Sequence, residues 1–132
     1  MDAFELHAVF DYVSPEELWN MWLDGEAHAA MTGAPATGEA TVGQTFTAWD
    51  GYITGTNLEL NEPRRIVQAW RTSNFAEDDD DSRLELIFLE AEDDGTILHL
   101  KHTKIPAGQG DDYLQGWTDH YFEPMNAFFE AE

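Results

Sequence analysis

The chain has 132 residues and a mass of 15.0 kDa, the amount of material that one hydrophobic core serves. Hydrophobic residues make up 42% and aromatics 13%, with five Trp and eight Phe, which excludes a disordered chain. Six Lys and Arg against 27 Asp and Glu leave a formal charge of −21, and this argues against nucleic acid or a membrane as partner, because anionic surfaces are bound through cationic side chains that displace counterions.

Residues 3 to 12 alternate, with Phe4, Leu6, Ala8 and Phe10 on one face and Glu5, His7 and Asp11 on the other, which predicts a half-buried strand. Ser14-Pro15-Glu16-Glu17 then supplies an N-cap hydroxyl, a proline at the first helical position and a glutamate placed to close a capping box. Leu18, Trp19, Trp22 and Leu23 follow at helical spacing, with Gly25 as the expected stop. A second short helix is expected from about Glu26 to Thr32, ahead of the Gly33-Ala34-Pro35 breaker.

The period then changes to two. Thr45 to Asp50, Tyr52 to Leu60, Arg65 to Thr72, Arg83 to Ala91 and Thr96 to Ile105 each read as strands, separated by turn-forming residues. Asp94-Gly95 is expected to form a tight hairpin turn with both central residues at positive φ. From about Asp111 the pattern is helical again, and Leu114, Trp117, Tyr121, Met125 and Phe128 mark a stripe directed at the core. Pro124 removes the bond to the carbonyl of His120, so a bend is expected near Glu123. The order predicts an α+β fold, a curved antiparallel sheet of about six strands wrapped around a long C-terminal helix, as one domain over residues 1–132.

Carboxylates occur in every part of the chain, including the run Glu77 to Asp81, and the only lysines are Lys101 and Lys104. This composition predicts salt adaptation, since at ~1 M salt the screening length falls to ~3 Å and crowded carboxylates no longer repel. Without cysteine, thiolate chemistry, disulfides and Cys-ligated zinc are excluded. The start, Met1-Asp2-Ala3-Phe4-Glu5, does not read as a signal peptide, and a cytoplasmic location is expected.

Gly38 to Thr45 matches a phosphate-loop spacing except that Gln44 stands where the lysine would reach the phosphates, so a loop entering a strand is expected. Asp78 to Asp81 lacks the glycine and bidentate glutamate of a calcium loop and reads as a solvated hairpin tip. His7, His28, His99, His102 and His120 show no metal-ligand spacing, so neither metal nor cofactor is expected. Ser14, Ser73 and Ser82 lack a nucleophile context. His102 shares a strand face with Leu98 and Leu100, where it either orients a ligand or is a core-edge histidine satisfied by a neighbouring hydroxyl or carbonyl. Trp49, Tyr52, Trp70, Trp117 and Tyr121 combine a large apolar body with a polar handle, which suits either a core or the wall of a cavity.

Gly55-Thr56-Asn57-Leu58-Glu59-Leu60, Pro63, Arg65-Ile66-Val67, Trp70, Gly95-Thr96 with Leu98, Leu100 and His102, and the closing Gly116 to Phe122 together resemble the Hsp90-ATPase-activator-like (AHSA1, Aha1 C-terminal-like) family. The resemblance implies the helix-grip fold of the START and Bet v 1-like superfamily, many members of which hold lipids, hormones or polyketides between sheet and helix. Because Met1 stands just ahead of the first strand, the separate N-terminal domain of the eukaryotic cochaperone is expected to be missing, as in free-standing prokaryotic members with proposed stress-related or ligand-binding roles.

The expected function is therefore non-catalytic binding of a small apolar or amphipathic ligand, with Trp70, Leu98, Leu100, His102, Trp117, Tyr121 and Met125 as the wall. A module that modulates an Hsp90-type chaperone is the alternative, and a cyclase or hydrolase of the same superfamily is the third reading.

Overall fold

A computed structural model describes residues 1–130. Strand β1 (Asp2–Phe10) leads into helices α1 (Pro15–Leu23) and α2 (Gly25–Thr32). Strands β2 (Thr45–Ala48), β3 (Ile53–Asn61), β4 (Arg65–Thr72), β5 (Ser82–Glu90) and β6 (Thr96–Ile105) follow. The chain then runs through α3 (Gly110–Trp117), a π-helical turn (Thr118–Phe122) and α4 (Glu123–Glu130). The six strands make one curved antiparallel sheet in the order β1-β6-β5-β4-β3-β2, so the first strand pairs with the last. Element ends fall within one or two residues of those expected, the range over which helix and strand ends fray.

The start of α1 is as its sequence dictates: the Ser14 hydroxyl accepts from the Glu17 N–H at 3.2 Å, and the Glu17 carboxylate accepts from the Ser14 N–H at 3.2 Å. Asp24 ends α1 and starts α2, because its side chain accepts from the Ala27 N–H at 2.9 Å. Gly25 is thus the first residue of α2, and a Cβ there would lie 2.7 Å from the Thr37 Cα. Its smallness serves close packing rather than a stop.

Alternation gives the sheet a buried face made of Ile66, Gln68, Trp70 and Thr72 from β4, Ser82, Leu84, Leu86 and Phe88 from β5, and Thr96, Leu98, Leu100 and His102 from β6. Trp19 and Trp22 tie α1 to β4 through indole N–H donation to the Arg65 carbonyl at 3.1 Å and the Gln68 side chain at 3.4 Å. The terminal helical run covers the remainder. No helix among the described residues is long and apolar enough to cross a membrane.

Two local expectations are corrected. Asp94-Gly95 is not a two-residue turn: Glu92–Asp94 form a 3-10 turn in which Asp94 takes φ +63 while Gly95 sits at φ −85. Gly95 is needed for space, since a Cβ there would meet the Phe10 carbonyl oxygen at 2.9 Å. The buried stripe of the last helices is Tyr113, Trp117, Tyr121, Met125 and Phe129, with Leu114 and Phe128 only half-buried. A strict spacing of four drifts by ~40° per step around an α-helix. The π turn holds an extra residue, with the Glu123 N–H bonded to the Thr118 carbonyl, and turns the stripe back onto the sheet. Pro124 directly follows, so the break expected near Glu123 takes the form of this widened turn.

The run Glu77 to Asp81 lies between β4 and β5, where Arg71 donates to the Ala76 and Asp79 carbonyls and to the Asp81 carboxylate at 2.8 Å. The Gly38 to Thr45 segment is a loop leading into β2.

Candidate functional site: an aromatic cavity under the terminal helix

Where α3 and the π turn cross the sheet, four wide side chains meet. The Trp117 ring centroid lies 5.7 Å from Trp70 of β4 and 4.7 Å from Tyr121, and Tyr113 stands edge-on to Trp70 at 5.1 Å. Large rings at an open end of the sheet do not close the space completely. A cavity of about 490 Å³ remains, walled on the sheet side by Trp49, Tyr52, Ile53 and Trp70 and on the helix side by Tyr113, Gly116, Trp117 and Tyr121. Exposed Asp112, Gln115, Asp119 and His120 complete its lining on the solvent side.

The five rings singled out from the sequence, Trp49, Tyr52, Trp70, Trp117 and Tyr121, all line this space. Of the wall residues expected, Trp70, Trp117 and Tyr121 are brought together there, whereas Leu98, Leu100, His102 and Met125 do not line it and are fully buried. Leu98, Leu100 and His102 lie on the anticipated buried face of β6, and Met125 on the buried stripe of α4.

His102 has no free nitrogen. The Trp117 indole N–H donates to its Nδ1 at 3.2 Å, so Nε2 carries the proton and donates to the Ser82 hydroxyl at 2.8 Å, which in turn donates to the Trp70 carbonyl at 2.7 Å. Burial pushes its pKa down to about 3, so the ring is neutral. Both ring nitrogens are satisfied within the protein, which ties His102 to Trp117 directly and to the Trp70 carbonyl through Ser82.

His28 behaves alike. Its Nδ1 donates to the Trp22 carbonyl at 2.9 Å, which leaves Nε2 to accept from the Tyr121 hydroxyl at 2.9 Å. Desolvation lowers the histidine's pKa, outweighing the opposite pull of the Trp22 carbonyl, and raises that of Tyr121 beyond the usual tyrosine range. Neither buried histidine is placed to take a proton from a bound molecule.

Tyr113 donates to the Gln109 side chain at 2.6 Å and accepts from the Thr72 hydroxyl at 2.6 Å, and desolvation pushes its pKa up to about 12. Tyr52 accepts at its hydroxyl from Asn74 at 2.8 Å. Trp49 differs from these. Its indole N–H is buried with no acceptor among the described residues, and its backbone is left-handed at φ +52. Asp50 at φ +57 and Gly51 at φ +86 continue that conformation, which a bulky residue adopts only where its surroundings impose it. His120 meets the Trp49 ring edge-on at 5.3 Å.

No group of three His, Asp or Glu side chains among the described residues is arranged to hold a metal ion. The arrangement can enclose an apolar body among aromatic side chains.

Sequence reasoning missed Tyr113, Gly116, Asp112, Asp119 and His120 as lining residues. Their signal was the spacing of four from Tyr113 through Trp117 and Tyr121, which is visible only if the helix is allowed to widen.

A curved antiparallel sheet gripping a C-terminal helical run, with a chamber between the two, defines the helix-grip class of START and Bet v 1-like proteins. Within it the chain belongs to the family described as Activator of Hsp90 ATPase homolog 1-like protein, whose model matches residues 12–130. It is 34% identical over 116 residues to the human activator of 90 kDa heat shock protein ATPase homolog 1, which covers 88% of this chain and 34% of that protein. The mouse homolog 2 is 29% identical over 128 residues, covering 97% of this chain and 38% of the relative. The chain thus spans about a third of the length of these relatives. Among solved structures, an HSP90 activator from Plasmodium falciparum superposes with a TM-score of 0.79 at 27% identity, covering 92% of this chain and 90% of that one. CalU16 from Micromonospora echinospora shares the fold at a TM-score of 0.78 and 23% identity, covering 96% of this chain and 75% of its own.

Proposed function

We propose that this chain is a non-catalytic, cytoplasmic binding domain that takes a small apolar or amphipathic molecule into the cavity between β2–β4 and the α3–π segment. The observation that carries the reading is a ring-walled space of about 490 Å³ between the sheet and the helical run. That volume is in the range of small-molecule sites. Burial of the ligand at roughly 25 cal/mol per Å² of apolar surface supplies the driving force.

Gly116 gives a clean test. It lines the cavity from mid-helix, and a Cβ added there meets nothing closer than the His120 Cδ2 at 3.9 Å. Gly116→Leu therefore fills the space with a better helix former. Titration with the neutral fluorophore N-phenyl-1-naphthylamine is expected to show binding that weakens by about tenfold or more in this variant, with an equal or higher melting temperature. Undiminished binding by a well-folded Gly116→Leu protein rules the cavity out as the site.

A second reading, modulation of an Hsp90-type ATPase, is favoured by the 34% identity to the human activator. An ATPase assay with the chaperone of the same organism tests it, and the absence of both stimulation and complex formation removes it.

A further inference from the structure

The geometry points to the charge class of the ligand: the cavity is built for an organic cation, a small quaternary or tertiary amine carrying an apolar group. The inference rests on the cavity being a ligand site and adds what its wall selects. Trp49, Tyr52, Trp70, Tyr113 and Trp117 supply the surface, and aromatic faces carry the negative end of a quadrupole that attracts alkylammonium groups. Two carboxylates, Asp112 and Asp119, lie in the solvent-side lining, about two turns apart along the helical run.

None of the six Lys and Arg of the chain lines the space, and among the described residues Asp119 is engaged by no more than the neutral Gln115 amide at 3.0 Å. His120 is the one basic side chain in the lining. An anion entering here would lose its hydration against ring faces and carboxylates with no cationic partner, whereas an amine exchanges water for both. The long-range field of a chain with net charge −21 works in the same direction and raises the local concentration of cations.

The field of the whole protein also attracts cations unspecifically, so the test separates wall from field. Phenyltrimethylammonium, its uncharged isostere tert-butylbenzene and the anion benzenesulfonate are each used to displace N-phenyl-1-naphthylamine at 0.15 M KCl, a salt level at which charges beyond ~8 Å are largely screened. The cation is expected to displace the probe at a concentration about tenfold below that of the uncharged isostere, and the anion to fail.

Asp112→Asn with Asp119→Asn should reduce this preference, read as the ratio of the two displacing concentrations, to about twofold or less. Asp78→Asn with Asp80→Asn makes the same change in net charge at the exposed β4–β5 tip and should leave the preference intact. Equal or better displacement by tert-butylbenzene, or equal loss of preference in both double variants, overturns the cation inference. If Gly116→Leu still blocks probe binding in that case, the cavity reading stands without it. Failure of all three compounds, with probe binding indifferent to Gly116→Leu, defeats both.

Discussion

His102 and His28 show how a polar residue inside an apolar layer can define geometry instead of chemistry. Each ring has both nitrogens engaged and is held neutral by burial, and their partners are the indole of Trp117 and the hydroxyl of Tyr121, two walls of the cavity. The consequence is a pH dependence of stability. In the unfolded chain both histidines titrate near 6.5, while in the fold His102 stays unprotonated down to about 3 and His28 is lowered in the same direction. Their contribution is complete above pH ~6.5 and is lost as the pH falls through that value, because the unfolded state then binds protons that the folded state refuses. Between pH 7.5 and 5.5 the loss should approach ~1.4 kcal/mol for His102, with His28 adding to it in the same direction. Urea unfolding in 1 M KCl, where carboxylate repulsion is screened, is expected to show a lower midpoint at pH 5.5. An unchanged midpoint would mean that the rings are charged within the fold. Nothing in the sequence distinguished these roles, since apart from the Trp22 carbonyl six positions from His28 the partners of the two rings lie 15 to 93 positions away.

At the scale of elements, the strand face and the first helix were legible because they depend on period and on a local cap, both written within a few residues. The walls of the cavity were legible by residue type and not by position. Which rings meet an open space depends on the helical register, and a single proline announces a break without stating that an extra residue will be taken up before it. Gly55 marks another such limit. It belongs to the motif that carried the family resemblance, yet its reason emerges only across strands: a Cβ on it would lie 2.0 Å from the Ala69 carbonyl oxygen and 2.5 Å from the Phe46 ring. β3 pairs Gly55 with both Phe46 of β2 and Trp70 of β4, so the ring of Phe46 lies over the glycine and fastens the edge strand. Gly55→Ala must move backbone rather than a flexible side-chain tip and should destabilise by ~3 kcal/mol or fail to accumulate. Chemical denaturation measures the change, and a loss below ~0.5 kcal/mol would mean that β2 is free to shift.

The whole molecule carries its charge unevenly matched. Among the described residues the arginine ion pairs are those of Arg65 with Glu59 and Glu85 and of Arg71 with Asp81, set against a chain total of 27 carboxylates. Exposed pairs of this kind contribute little, so the net effect of the surface charge on the fold at low salt is repulsive. The aromatic layer and the capped helices must overcome that repulsion, and screening relieves it without altering either. We propose that the protein is adapted to high salt on this basis. The melting temperature should rise on the order of 10 °C between 0.1 and 2 M KCl, most steeply below ~0.5 M where the screening length still exceeds the spacing of neighbouring carboxylates. Replacement of Asp78 and Asp80 by Asn, within the acidic run at the sheet's tip, should raise the low-salt melting temperature and shrink the increment due to salt, because it removes repulsion that salt would otherwise screen. A melting temperature that is level or declines across the KCl series, in both proteins, would show that the surface charge is solvated independently of the fold. Ligand uptake then separates the two electrostatic ideas, for long-range attraction of a cation weakens over the same salt range while attraction by ring faces inside the cavity persists.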